Sequence, residues 1–193
     1  GLAALPHRNI HLYLCGFSAF VLSNGSSLAL FVGAIMARKQ MKSNKEHYMT
    51  KVNFYDSIND SMLKFAVIIA RHNGKWVFCK HKERNTWEAP GGHREDGEDI
   101  LETAKRELYE ETGAITFDIT PICIYSVTAP DNFDGMETFG KLFFSDIHTF
   151  EKELHSEIEK IAIMDELPIN WTYPEIQPKL LEEARKRGFL PKK

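Results

Sequence analysis

The stretch from Gly92 to Ala114 carries eight acidic side chains: Glu95, Asp96, Glu98, Asp99, Glu102, Glu107, Glu110 and Glu111. The segment from Ile100 to Glu111 has the spacing of a helix, and Gly113 is a natural C-terminal stop. At about 100° per residue, Glu110 and Glu111 fall near 300° and 40° when Glu107 is taken as zero. Leu101, Ala104 and Leu108 fall near 120°, 60° and 100° on the same scale and form the apolar stripe. The three carboxylates therefore flank the buried edge of the helix. Like charges so close repel, and burial adds a desolvation cost. A cation that meets them removes both penalties. A set of hard oxygen donors without His or Cys suits Mg²⁺ or Mn²⁺ rather than zinc. The competing reading is a solvated acidic face paired with Lys105 and Arg106.

Around this helix the chain has strand and turn signals. Lys64–Ala70 is a short β-branched apolar run, hence a buried strand. Asn73-Gly74 is a strong hairpin signal, and Lys75–His81 is its return strand. Pro90-Gly91-Gly92 forces a turn. Asp96 is the expected N-cap of the acidic helix, with Asp99 as its capping-box partner. Further strands are expected near Ile122–Thr128, Thr138–Ile147 and Glu159–Met164. A last helix is expected over Pro174–Arg187, with Pro174 in its first turn. Strands outnumber helices without regular βαβ alternation, so the fold class is α+β with a mixed sheet.

Residues 1–48 differ from the rest. No charged side chain occurs from Leu12 to Ala37, a span long enough for a bilayer, yet Ser23-Asn24-Gly25-Ser26-Ser27 breaks it with turn chemistry. Arg38, Lys39, Lys42 and Lys45 follow, which would hold the remainder on the cytoplasmic side of a membrane. Three readings stand: a non-native upstream extension, a membrane anchor, or a packed helical appendage. The expected organisation is 1–48 as this extension and 49–193 as the catalytic domain, with no membrane role for the latter. Net charge is -3 overall. Residues 1–50 carry +4, from five basic side chains against Glu46, leaving -7 for the remainder. An acidic domain argues against a nucleic-acid partner. Cys15, Cys79 and Cys123 are widely spaced and odd in number, which fits neither a disulfide framework nor a zinc site. A reducing, cytoplasmic setting is expected.

The full spacing is more specific than the helix alone. Gly92 is followed after five residues by Glu98, and after seven more by Arg106-Glu107-Leu108. One residue further come Glu110-Glu111, then one more, then Gly113. This resembles the signature of the Nudix hydrolases, G-x5-E-x7-R-E-U-x-E-E-x-G-U, with U a bulky aliphatic residue. All seven fixed positions match; Ala114 at the final apolar position departs from it and concerns packing rather than chemistry.

The resemblance implies an α/β/α sandwich around a mixed sheet, and a Mg²⁺- or Mn²⁺-dependent diphosphohydrolase acting on a small nucleoside diphosphate derivative. It implies Glu110 and Glu111 as metal ligands, with Glu107 as ligand or general base. Arg106 would orient Glu107, and Glu98 would support the helix. The Gly91 carbonyl would complete the metal shell, and Glu157 is the expected further glutamate from a distant loop, with Glu153 and Glu159 as competitors. Lys80, Lys82 and His93 are candidates for the substrate phosphates, with ordinary surface charge as the alternative. Asn170 is the candidate for reading a base edge. The expected substrate is a nucleoside triphosphate, oxidised forms such as 8-oxo-dGTP included. ADP-ribose or a nucleotide sugar is the runner-up, suggested by Pro130, sixteen residues beyond Ala114. A non-catalytic nucleotide sensor is the alternative of another class. Such sensors lose signature glutamates, and here all are present.

Overall fold

The computed structural model describes residues 49–130, 135–151 and 158–191. The expectations placed on residues 1–48 and on Glu153 and Glu157 lie outside these. Among the described residues the elements are β1 (Lys51–Tyr55), β2 (Leu63–His72), β3 (Lys75–His81), β4 (Gly91–His93) and α1 (Ile100–Thr112), then β5 (Ala114–Thr128), β6 (Thr138–Phe150), β7 (Ile158–Met164) and α2 (Gln177–Lys186). The strands form one sheet in the order β1-β5-β6-β2-β3-β7, with β4 also paired to β2. The β2–β6 pairing is parallel and the others are antiparallel. A mixed sheet results, as expected.

Period-two alternation sends successive side chains of the central strands to opposite faces. Ile68, Ile124 and Phe143 pack with Ile100, Ala104 and Leu108 of α1. Ile69, Cys123, Tyr125 and Leu142 pack with Leu180, Leu181 and Ala184 of α2. Each face is thus covered by one helix, giving the three-layer sandwich. Burial on both faces is why the β2 sequence is apolar without interruption over Ala66–Ala70. No helix of the described residues is long and apolar enough to cross a membrane.

Several boundaries differ from expectation. The N-cap of α1 is Asp99, whose side chain accepts from Leu101 N–H at 2.8 Å, and not Asp96. Gly97 takes a left-handed φ of 80°, and Glu98 N–H donates to Glu95 C=O, so a turn occupies 95–98 and separates Asp96 from the helix, which starts at Ile100 as expected. Gly113 closes α1 at φ 71°. β5 begins at once, at Ala114, and is eight residues longer at its start than its apolar half suggests. Pro121 sits where the β5–β6 register shifts, the place a sheet tolerates proline. α2 starts at Gln177 with Pro178, not Pro174, in its first turn. The Asn73-Gly74 hairpin has both residues at positive φ, 50° and 79°, as a primed turn requires.

Candidate active site

The segment from Glu88 to His93 is clamped between two strands. Glu88 and Cys79 exchange both backbone hydrogen bonds at 3.0 Å, and Ile68 N–H donates to Pro90 C=O at 2.8 Å. Gly91 and Gly92 then pair with Val67 and Ala66. A side chain at either position would need its neighbours to move. A Cβ on Gly91 would strike the Ala66 carbonyl and the Val67 Cα, and one on Gly92 would strike the Glu107 carboxylate. The two glycines thereby bring backbone against the acidic edge of α1.

Arg106 organises that edge. Its Nε and Nη2 donate to the two oxygens of Glu98 at 2.9 and 3.1 Å. Nη1 donates to Glu107 Oε1 at 2.8 Å and Glu110 Oε2 at 3.1 Å. Nη2 also donates to the His93 carbonyl at 2.9 Å. Glu98 accepts further from the Thr103 hydroxyl at 2.8 Å and from Glu95 N–H at 3.1 Å. The Arg106 bonds hold the Glu98 carboxyl down to about 2, against its partial burial. Glu98 is thus a fixed anionic anchor for the guanidinium.

The other carboxylates are shifted the opposite way. Burial raises Glu107 despite its bond to Arg106. Burial pushes Glu111 up to about 8, opposed by the Gly91 N–H that donates to its Oε2 at 2.8 Å and assisted by repulsion from Glu107. The thiol of Cys79 donates to the Glu88 carbonyl and to Glu111 Oε2 at 3.4 and 3.6 Å. Burial raises this thiol well above its ordinary value, so it is a packed donor and not a nucleophile. Glu110 is the most open of the three, its side chain 40% exposed against 12% for Glu107.

Oxygen donors alone, two of them buried and mutually repelling, fit a hard divalent cation. Among the described residues no three His, Cys, Asp or Glu side chains converge closely enough to hold an ion. Arg106 Nη1 holds Glu107 and Glu110, while Glu111 faces Gly91.

A cavity of about 540 Å³ opens beside Glu111, Gly91 and Gly92, within the size range of small-molecule sites. Phe65, Tyr125 and Tyr173 give it aromatic walls, and His93 also lines it. Glu88, Arg84 and Gln177, also in its lining, supply polar groups. Arg84 lies over the Tyr173 ring at 5.8 Å and donates to Glu88 Oε2 at 3.2 Å. Burial raises the Glu88 carboxyl, against the pull of Arg84.

The remaining sequence candidates are dispersed. Lys80 stands on β3 opposite Lys160, and neither it nor Lys82 lines the cavity. Asn170 is exposed; its Nδ2 donates to the Asn85 carbonyl at 2.7 Å, and it is also absent from the lining. The side-chain amide that lines the cavity is that of Gln177. Sequence reasoning missed Gln177 and Glu88. A signal existed for Glu88, a charge inside the otherwise apolar Trp87–Pro90 run. None existed for Gln177, whose burial depends on α2 docking against Ala89.

A glycine-tight loop, a carboxylate-lined helix and an adjoining cavity thus meet on a three-layer sandwich, with room for a small molecule beside hard oxygen donors. The NUDIX domain profile matches residues 61–188, and the chain belongs to that family. It is a hydrolase acting on phosphorus-containing acid anhydrides, in a family that generally uses divalent metals. YtkD of Bacillus subtilis (strain 168), a candidate 8-oxo-dGTP diphosphatase, is 31% identical over 129 residues, 65% of this chain and 78% of that protein. The crystal structure of the Bacillus subtilis pyrophosphohydrolase BsRppH, in a mutant form, is 25% identical with a TM-score of 0.61, covering 74% of this chain and 93% of that one. A NUDIX hydrolase from Nitrosomonas europaea shares the fold at 20% identity and a TM-score of 0.52, over 64% of this chain and 89% of that one.

Proposed function

We propose that the protein hydrolyses a nucleoside triphosphate, oxidised forms of the 8-oxo-dGTP type included, to the monophosphate and pyrophosphate, with Mg²⁺ or Mn²⁺. The observation that carries this reading is the aromatic-walled cavity of about 540 Å³ opening directly onto Glu111 and the Gly91-Gly92 backbone. A base fits the walls while the phosphates lie over the acidic edge of α1. The similarity to YtkD supports the same substrate class.

Glu107, Glu110, Glu111 and the Gly91 carbonyl would hold the cation, which supplies charge neutralisation for the phosphate oxygens. The chain's own residues do the rest. Arg106, held by Glu98, fixes the direction of the Glu107 carboxylate. Burial raises Glu107, which brings it closer to the basicity a general base needs. In that role it takes a proton from the water that attacks phosphorus, and pyrophosphate departs. Glu157 remains the candidate for a further glutamate, and His93, in the cavity lining, would face the phosphates.

The test uses the full chain with Mg²⁺ or Mn²⁺ and a pool of nucleoside triphosphates, 8-oxo-dGTP, ADP-ribose and a dinucleoside tetraphosphate, with products separated by anion exchange. Loss of a triphosphate with pyrophosphate release is expected. Selective conversion of ADP-ribose to AMP and ribose phosphate, or no turnover at all, would sink the reading. Glu110→Gln is expected to abolish most turnover; unchanged turnover would remove Glu110 from the metal set.

A further inference from the structure

Two polar side chains in the cavity lining have their chemical roles fixed by the fold. Gln177 is 5% exposed, and Ala89 N–H donates to its Oε1 at 3.0 Å. An N–H can only donate, so this bond decides which end of the amide faces Ala89. Nε2 is the other end, a pure donor, and it takes no acceptor from the described residues. Glu88, one residue before Ala89, is 6% exposed and lines the same cavity. Its Oε2 accepts from Arg84 Nη1 at 3.2 Å. A carboxylate offers about four lone-pair positions, so this bond leaves capacity for a ligand. Within the lining, Gln177 and Glu88 therefore pair a donor group with an acceptor-only group.

We infer that Gln177 and Glu88 read the Watson–Crick edge of a guanine-type base, Nε2 donating to O6 and the carboxylate accepting from N1–H and the N2 amino group. This rests on the proposed nucleoside triphosphate activity and names the base. A guanine edge runs acceptor, donor, donor, the complement of amide nitrogen plus carboxylate. An adenine edge carries a donor at position 6 and an acceptor at N1. It sets an amine against Nε2 and a lone pair against Glu88, and buried groups left unmatched in this way are costly. Phe65, Tyr125 and Tyr173 supply the faces for the ring. C8 lies on the far side of a purine from this edge. The pair accordingly treats guanine and 8-oxoguanine alike, and any preference for the oxidised base has to come from elsewhere in the cavity.

The experiment compares kcat/KM for dGTP, 8-oxo-dGTP, dATP and the 2-aminopurine deoxynucleoside triphosphate, which lacks O6. In the wild type, dATP and the 2-aminopurine nucleotide, both of which also lack N1–H, are expected to be poorer than dGTP by at least on the order of 10–100-fold, the cost of a single unmatched buried hydrogen-bonding group. Gln177→Glu keeps an acceptor for Ala89 N–H but turns an oxygen toward O6. It is expected to lower kcat/KM for dGTP by a similar factor and to pull the dGTP/dATP ratio toward one. An unchanged ratio in a folded Gln177→Glu protein overturns the inference. If that variant does not fold, the wild-type comparison decides: no penalty for losing O6 and N1–H together overturns it. Turnover of triphosphates at base-independent rates defeats this inference alone, while turnover of none defeats the proposed function as well.

Discussion

Arg106 and Glu98 face each other as a two-pronged pair, Nε and Nη2 of the guanidinium on the two carboxylate oxygens at 2.9 and 3.1 Å. The third nitrogen is thereby aimed at Glu107. A lysine offers a point charge and no fork. Arg106→Lys is expected to keep the fold but lower kcat about 10–100-fold, the usual cost of losing a supporting partner next to a metal ligand. Steady-state kinetics beside a thermal melt separates the two effects; equal loss of stability and activity would contradict the orienting role.

Glu98 sets an acid limit on stability. Its folded value of about 2 lies below the ordinary 4.5. A depressed carboxyl contributes stability that is complete above about pH 4.5 and disappears as pH falls toward 2, because the unfolded chain takes up the proton first. Glu98→Gln should flatten the stability curve between those pH values and lower it at neutrality. Denaturant midpoints measured from pH 2 to 7 check this.

Glu111 works in the opposite direction. Burial pushes it to about 8, so the metal-free fold keeps a proton that the unfolded chain releases near 4.5. Stability of the metal-free protein should therefore fall as pH rises from 4.5 to 8. Magnesium should raise the melting temperature more at pH 7.5 than at pH 5.5. Glu111→Gln should remove much of the slope and the difference in the metal response. Melting curves with EDTA or Mg²⁺ at both pH values decide.

The two glycines should respond differently to a single methyl group. On Gly92 it meets the movable end of Glu107, and on Gly91 it meets the β2 backbone. Gly92→Ala is expected to cost kcat about 10²-fold through a displaced carboxylate, with little change in melting temperature. Gly91→Ala is expected to cost roughly 1–3 kcal/mol of stability, as overpacking does. Kinetics and denaturant unfolding on both variants test the contrast.

The sequence carried the central architecture because local chemistry dictated it. The primed turn at Asn73-Gly74, the stop at Gly113 and the acidic edge of α1 are all properties of a few adjacent residues. The early half of β5 was not legible, since Ile115 to Pro121 is largely exposed and holds Asp118 and Pro121 in place of an apolar run. The helix start at Ile100 was legible, but its N-cap was assigned to Asp96 instead of Asp99, because the turn over 95–98 that separates Asp96 from the helix has no clear sequence mark. At the site, the helix glutamates were legible from their spacing. Gln177 was not, because a glutamine at a helix start looks like surface until Ala89, 88 residues earlier, is packed against it.

The parallel pairing of β2 with β6 has a consequence for the order of assembly. β2 carries the glycine loop on one flank, while its other flank is completed only by Thr138–Phe150, some seventy residues later in the chain. Such a long closure is a slow step in folding. As the polypeptide emerges from the ribosome, the acidic helix is synthesised well before the strand that fixes its floor and the α2 segment that roofs the cavity. A nascent chain of this kind gains its candidate site almost all at once, when α2 has emerged.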